Sequence, residues 1–205
     1  MITIAIIVIT VLVSFIAFSN ADVMERFLLY PYTMRNNNEM ERLITHTLLH
    51  SGIFHLAFNM LALYSFGVNV ENVFVQIFGI YGRLLYLLMY VLSGIAAGLP
   101  DLFIKKNNYA YKSLGASGAV SGVIFSSILF FPTSGISIMF LPSMPAYIFA
   151  PLFIVVSLIL SKTMEGQINH LAHVVGAITG FLITLGLCYA KGINIISYTI
   201  QQINA

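Results

Sequence analysis

Two runs of small residues hold the side chains best suited to chemistry. Ser117 stands in Leu114-Gly115-Ala116-Ser117-Gly118-Ala119-Val120-Ser121-Gly122, and His173 in Ala172-His173-Val174-Val175-Gly176-Ala177-Ile178-Thr179-Gly180. A serine hydroxyl is a weak nucleophile until a neighbouring base takes its proton, and histidine is the commonest such base. Both lie in or at the mouth of apolar segments, where an ionisable group is costly and therefore marks a functional site by default. A third segment adds His55 and Asn59, four residues apart on one helical face. Both can donate hydrogen bonds to the oxyanion that forms when a serine attacks a carbonyl.

Each of these residues also has a plainer reading. Serine and glycine pack membrane helices routinely, and a histidine hydrogen-bonded across a helix interface is an equal alternative for His173. What joins the two is the company they keep. Gly118 and Gly122 follow Ser117, while Gly176, Ala177 and Gly180 share a helical face with His173. Two such faces let backbones approach closely enough to bring a base to a serine.

His46, His50 and His55 fall within ten residues and could share a metal ion. The chain has no HExxH pattern, however, and this segment has no carboxylate to act as a metalloprotease base. No metal and no cofactor are therefore expected, and His46 and His50 read as polar braces for the loop before them. An aspartyl mechanism would need two carboxylates together inside the bilayer. Asp22 and Asp101 read as loop or interface residues, and Glu71 is alone near the end of its span. The same scarcity leaves no acid to orient His173, so the chemistry would be that of a Ser–His dyad.

The elements that must position these groups are membrane helices. Of 205 residues, 59% are hydrophobic and 8% charged, against roughly 25% charged in soluble domains. Mean hydropathy is +0.94. The chain is an all-α integral membrane protein, with spans near 2–19, 52–74, 83–100, 116–132, 137–160 and 168–190. These make one six-helix domain over residues 1–205, placed in the cell membrane as a multi-pass protein. The first span carries no Lys or Arg and is longer than the apolar core of a signal peptide, so it is expected to be retained. Cys188, the single cysteine, reads as a small buried hydrophobe. A net charge of +2 on scattered basic residues gives no footing for nucleic acid.

The longest connection, residues 20–51, holds Asp22, Glu25, Arg26, Arg35, Glu39, Glu41 and Arg42, more than a third of all charges. With Phe27-Leu28-Leu29-Tyr30-Pro31-Tyr32 in the middle, it reads as a structured segment in the membrane interface. Basic residues favour the odd-numbered loops: Arg26, Arg35, Arg42, Lys105, Lys106, Lys112 and Lys162, against Arg83 and Lys191 elsewhere. By charge alone both termini would lie outside.

With these residues in place, the sequence resembles the rhomboid intramembrane serine proteases. The resemblance rests on His55-x-x-x-Asn59, Gly115-Ala116-Ser117-Gly118 and Ala172-His173-x-x-Gly176-x-x-x-Gly180, in that order, with Arg42 and Glu71 also matching, over roughly residues 40–190. It implies Ser117 as nucleophile, His173 as general base and then acid, and His55 and Asn59 as oxyanion donors with the Ser117 N–H. It further implies single-span membrane proteins as substrates and a catalytic serine below the outer surface in a water-filled cavity. The fifth helix and the loop before it, here 137–160 after Pro132-Thr133-Ser134-Gly135, would form a lateral gate. The N-terminus would be cytoplasmic, against the charge count, and one protomer would suffice for the site. Two positions depart from the family pattern: Ser121 replaces an aromatic expected beneath His173, and Glu41 replaces a tryptophan. The resemblance also leaves room for a catalytically silent relative that binds and escorts membrane segments. A small transporter is the third reading, disfavoured because no internal repeat is present.

Overall fold

The computed structural model describes residues 1–137, 142–163 and 169–205, and of residues 162 and 163 the backbone only. Residues 138–141 of the expected fifth span and residue 168 of the sixth lie outside the described residues. In chain order the helices are α1 (Ile2–Ser19), α2 (Ala21–Phe27), α3 (Pro31–Asn37), α4 (Arg42–Thr45), α5 (Ile53–Phe78), α6 (Gly82–Ile104), α7 (Ser117–Phe130), α8 (Ala146–Thr163), α9 (His170–Ala190) and α10 (Ile195–Asn204). Short 3-10 turns occupy His46–Leu48 and Gly79–Tyr81, and β1 (Gly135–Ile136) pairs antiparallel with β2 (Met144–Pro145). The fold is all-α, with that small hairpin as an ornament.

Among the described residues three stretches are long and apolar enough to cross a membrane: Ile2–Ser19, Ile53–Ile104 and His170–Ala190. The middle one contains two helices, because Gly79 takes φ +59 and ends α5. That left-handed conformation favours glycine, and after the turn α6 folds back along α5. Phe74 and Tyr86, both fully buried, meet edge to face across the hairpin with ring centroids 6.2 Å apart.

α7 is shorter, 14 residues, and it is central. Twelve of those residues are buried, in contact with α5, α6 and α9. A helix sealed by neighbours on all sides has no need of the ~20 residues that reach across hydrocarbon. Side chains that meet on it, Val120 and Val123 with Leu63, Phe74, Tyr86 and Met89, form the main core. Since lipid is as apolar as leucine, close packing and polar contacts hold such a core together, rather than exclusion from water.

Polar clamps sit at one end of the bundle. Glu71, 1% exposed, accepts from the Ile2 and Thr3 N–H groups at 2.8 Å each and from the Thr3 hydroxyl at 2.7 Å. A carboxylate from α5 thus caps α1, satisfying N–H groups that a helix start leaves without partners. At the same end of the bundle α10, absent from the expected elements, donates the Thr199 hydroxyl to the Leu129 carbonyl at the end of α7, at 2.7 Å.

Residues 20–51 are structured, as expected, by α2, α3 and α4. Arg42, 8% exposed, donates to the carbonyls of Glu25 and Leu28 at 2.7 and 2.9 Å and pairs with Glu39 at 2.6 Å. One buried guanidinium therefore gathers three turns of the segment.

Two expected boundaries change. The fifth helix begins at Ala146, not near 137, because Gly135–Ile136 is drawn into pairing with Met144–Pro145. The third helix runs through Pro100 to Ile104, carrying Asp101 into the helix, where it is 5% exposed. Proline usually marks a helix boundary, but here tertiary partners of Asp101 hold the last turn.

Candidate active site

Ser117 opens α7. The chain reaches it through Gly115, whose φ of +128 is barred to ordinary side chains and whose missing Cβ would lie 3.0 Å from His55 Cε1. The first loop anchors this approach: Leu29 and Ser113 exchange backbone hydrogen bonds at 2.9 and 3.0 Å, and Gly115 N–H donates to the His46 carbonyl at 3.0 Å. Lys112 pairs with Glu25 at 2.7 Å. The helical ladder starts with Val120 N–H to the Ala116 carbonyl. The N–H groups of Ser117, Gly118 and Ala119 therefore precede it, free for an anion at the positive end of the helix dipole.

His173 lies in the first turn of α9, with Nε2 2.7 Å from Ser117 Oγ. With Nε2 unprotonated, the hydroxyl donates to it, the relation a nucleophile needs with its base. The distance is set by the seam between α7 and α9. A Cβ on Gly176 would lie 3.0 Å from Gly118 Cα and collide with its carbonyl, and one on Gly180 would strike Gly122 in the same way. One turn on, Ser126 and Thr184 share a buried hydrogen bond of 2.7 Å. The seam thus repeats every four residues, with backbone against backbone.

His55 approaches from α5. Its Nδ1 faces Ser51 N–H at 3.4 Å and the Ser51 hydroxyl at 3.1 Å. An N–H can only donate, so Nδ1 accepts and the neutral ring carries its proton on Nε2, the nitrogen turned toward Gly115. Asn59, one turn on and buried, donates one amide N–H to the His55 carbonyl at 3.1 Å, leaving the second available. Ser117, His173, His55 and Asn59 all line one cavity of about 770 Å³. The four residues picked from the sequence thus share one space.

His46 also lines this cavity, but its ring, like that of His50, is engaged as a brace. His46 is buried, its Nδ1 donating to the Arg42 carbonyl at 2.8 Å. His50 packs edge to face against His55, 5.0 Å between centroids, and meets Ser14 Oγ at 3.0 Å. Both brace the first loop, as expected.

Other residues of the site escaped the sequence reading. Ser121 provides no ring beneath His173; the ring beside it is His170, edge to face at 6.2 Å between centroids. Asp101, Tyr111 and Asn169 line the same cavity and bond to one another. Asn169 could have been found, since an asparagine just before an apolar run is an N-cap signature. Asp101 could not, because its role depends on partners 10 and 68 residues away.

Comparison with known proteins bears on this arrangement. Residues 37–190 match the Rhomboid domain. The chain is 29% identical over 158 residues to Rhomboid protease AarA of Providencia stuartii, covering 67% of this chain and 52% of the relative. It is 33% identical over 153 residues to Rhomboid protease GluP of Bacillus subtilis, covering 75% of this chain and 27% of the relative. RHOMBOID-like protein 6, mitochondrial, of Arabidopsis thaliana is 32% identical over 145 residues, covering 70% and 42%. The chain spans about half of the first relative and about a quarter of the second. With all but the first 36 and last 15 residues inside the match, the chain is an integral membrane protein that belongs to the rhomboid family.

Proposed function

We propose that the chain is an intramembrane serine endopeptidase of six spans that cuts transmembrane segments of single-span proteins in a cell membrane. The observation that carries this reading is the 2.7 Å contact between Ser117 Oγ and His173 Nε2 inside a cavity whose apolar walls also carry His55, Asn59, Asp101 and Asn169. His173 takes the hydroxyl proton as Ser117 attacks the scissile carbonyl, then gives it to the departing amine. The oxyanion is held by His55 Nε2–H, the free Asn59 N–H and the Ser117 N–H, donors already in place before reaction. Water then hydrolyses the acyl-enzyme with His173 again as base. Those polar side chains supply a route for that water, since hydrocarbon does not.

A helical substrate hides its amides in hydrogen bonds, so cleavage favours sequences whose small or helix-breaking residues unwind cheaply. α8 is the element through which such a segment would enter. It rests on α9 and the end of α7 through Phe149 and Phe153, while Leu152, Val155, Val156 and Ile159 face outward. An enzyme of this fold needs no metal or cofactor for these steps.

The test is reaction of the purified chain with a fluorophosphonate, the adduct located by mass spectrometry. Labelling at Ser117 that disappears in His173→Ala is the expected result. A folded wild type that stays unlabelled and cuts no model membrane substrate would overturn the protease reading in favour of a binding and escort role.

A further inference from the structure

The notion of a dyad without an acid leaves the buried Asp101 unexplained. It sits in the last turn of α6, 5% exposed, and its Oδ2 accepts from the Tyr111 hydroxyl at 2.9 Å and from Asn169 Nδ2 at 2.7 Å. Asn169 Nδ2 also lies 3.2 Å from the Tyr111 oxygen. The other end of the same amide is fixed as well: Asn169 Oδ1 accepts from Ala172 N–H at 3.1 Å as the N-cap of α9. Its backbone carbonyl accepts from His173 N–H at 3.3 Å. Turning the amide over would set its oxygen against a carboxylate and its NH₂ against an N–H, so only one orientation satisfies both ends.

We infer that Asp101, acting through Asn169, is a positioning residue that sets the start of α9 and hence the place of His173 against Ser117. Asp101 touches neither of them; the chain of contacts is carboxylate, amide, helix N-terminus, imidazole. The inference rests on the Ser117–His173 reading above. Its physical motive is that the seam at Gly176 and Gly180 holds α9 from the first turn inward, while His173 lies at the helix start, where backbone N–H groups depend on a cap. Displacement of about 1 Å at a catalytic group costs roughly a hundredfold in rate.

The experiment compares variants of the whole chain in detergent by the rate of fluorophosphonate labelling and by kcat and KM on a model transmembrane substrate. Asp101→Ala is expected to lower kcat and labelling by about tenfold to a hundredfold with KM within about twofold. Asn169→Ala should do the same, and the double variant should be no slower than Asn169→Ala, because the two act in series. Asn169→Asp keeps a cap acceptor but opposes two carboxylates, and should be slow. Adding Asp101→Asn to it exchanges donor and acceptor and should restore labelling to within about threefold of wild type, which reads out the pairing even if Asp101→Ala fails to fold. Wild-type rates in Asp101→Ala, effects that multiply in the double variant, or a swap no faster than Asn169→Asp would each overturn the inference. Residual cleavage by Ser117→Ala would instead sink the proposed function itself.

Discussion

Two of the neighbours of α9 are unlike. Toward α7 it presents Gly176, Gly180 and Thr184, and the helices meet backbone to backbone. Toward α8 its Ala177 and Phe181 join a cluster of rings, Phe149 and Phe153 of α8 with Phe125 of α7, in which Phe153 lies 5.4 Å from Phe125 and 5.5 Å from Phe149 between centroids. The first interface admits one geometry, since any added atom collides with a carbonyl. The second consists of side chains that can change rotamer, on a helix whose far side is open to lipid. The lesson is that one helix can serve as a fixed wall for chemistry and a yielding wall for substrate entry, according to residue size alone.

The sharpest way to break this contrast is to place bulk in the seam. Gly176→Leu must push α7 and α9 apart, and Ser117 labelling should fall by about a thousandfold, with loss of a few kcal/mol of stability from overpacking. Retention of labelling would show that the seam does not set the Ser117–His173 distance. Asn59→Ala touches neither face of α9 and removes one oxyanion donor. Cleavage should fall by about a hundredfold to a thousandfold while thermal stability drops by far less than in the seam variant. Phe153→Ala, on the α8 face, should leave labelling within about threefold of wild type yet change the rate of cutting a membrane substrate. Equal effects on both readouts would erase the distinction between the two walls.

The smallest effect lies in the first-loop brace beside Gly115. Burial holds the His46 imidazole down at about 4 from an ordinary value of 6.5, and burial with the neighbouring His55 holds His50 at about 3. The folded chain keeps these rings neutral. Below pH 6.5 the unfolded chain binds protons that the folded chain refuses, so stability present above that pH is lost as the pH falls toward 4. The unfolding midpoint should therefore drop between pH 7 and pH 5, and drop less in His46→Asn. A midpoint independent of pH in wild type would contradict it.

Much of this was legible without coordinates. A glycine every fourth residue after Ser117 and after His173 announces close packing, because membrane helices associate through small residues. The pair His55 and Asn59 announces a shared face through helical periodicity. Glu71 and Arg42 could be singled out but not interpreted, since Glu71 caps a helix 68 residues away and Arg42 bonds to backbone carbonyls that have no signature in sequence. The start of α8 is not legible in the sequence, because an apolar run carries no mark of the two-residue pairing that delays the helix.

By itself the sequence determined that the chain is a bundle of membrane helices, that a serine and a histidine lie on small-residue faces, and that neither of the two runs holding them contains a carboxylate. Composition and periodicity are local quantities, and these conclusions need nothing more. Only the tertiary structure decided that the two faces meet, that Ser51 puts the His55 proton on the nitrogen facing Gly115, and that Asp101 belongs to the site. Those are facts about groups far apart in sequence, which become neighbours only when helices pack.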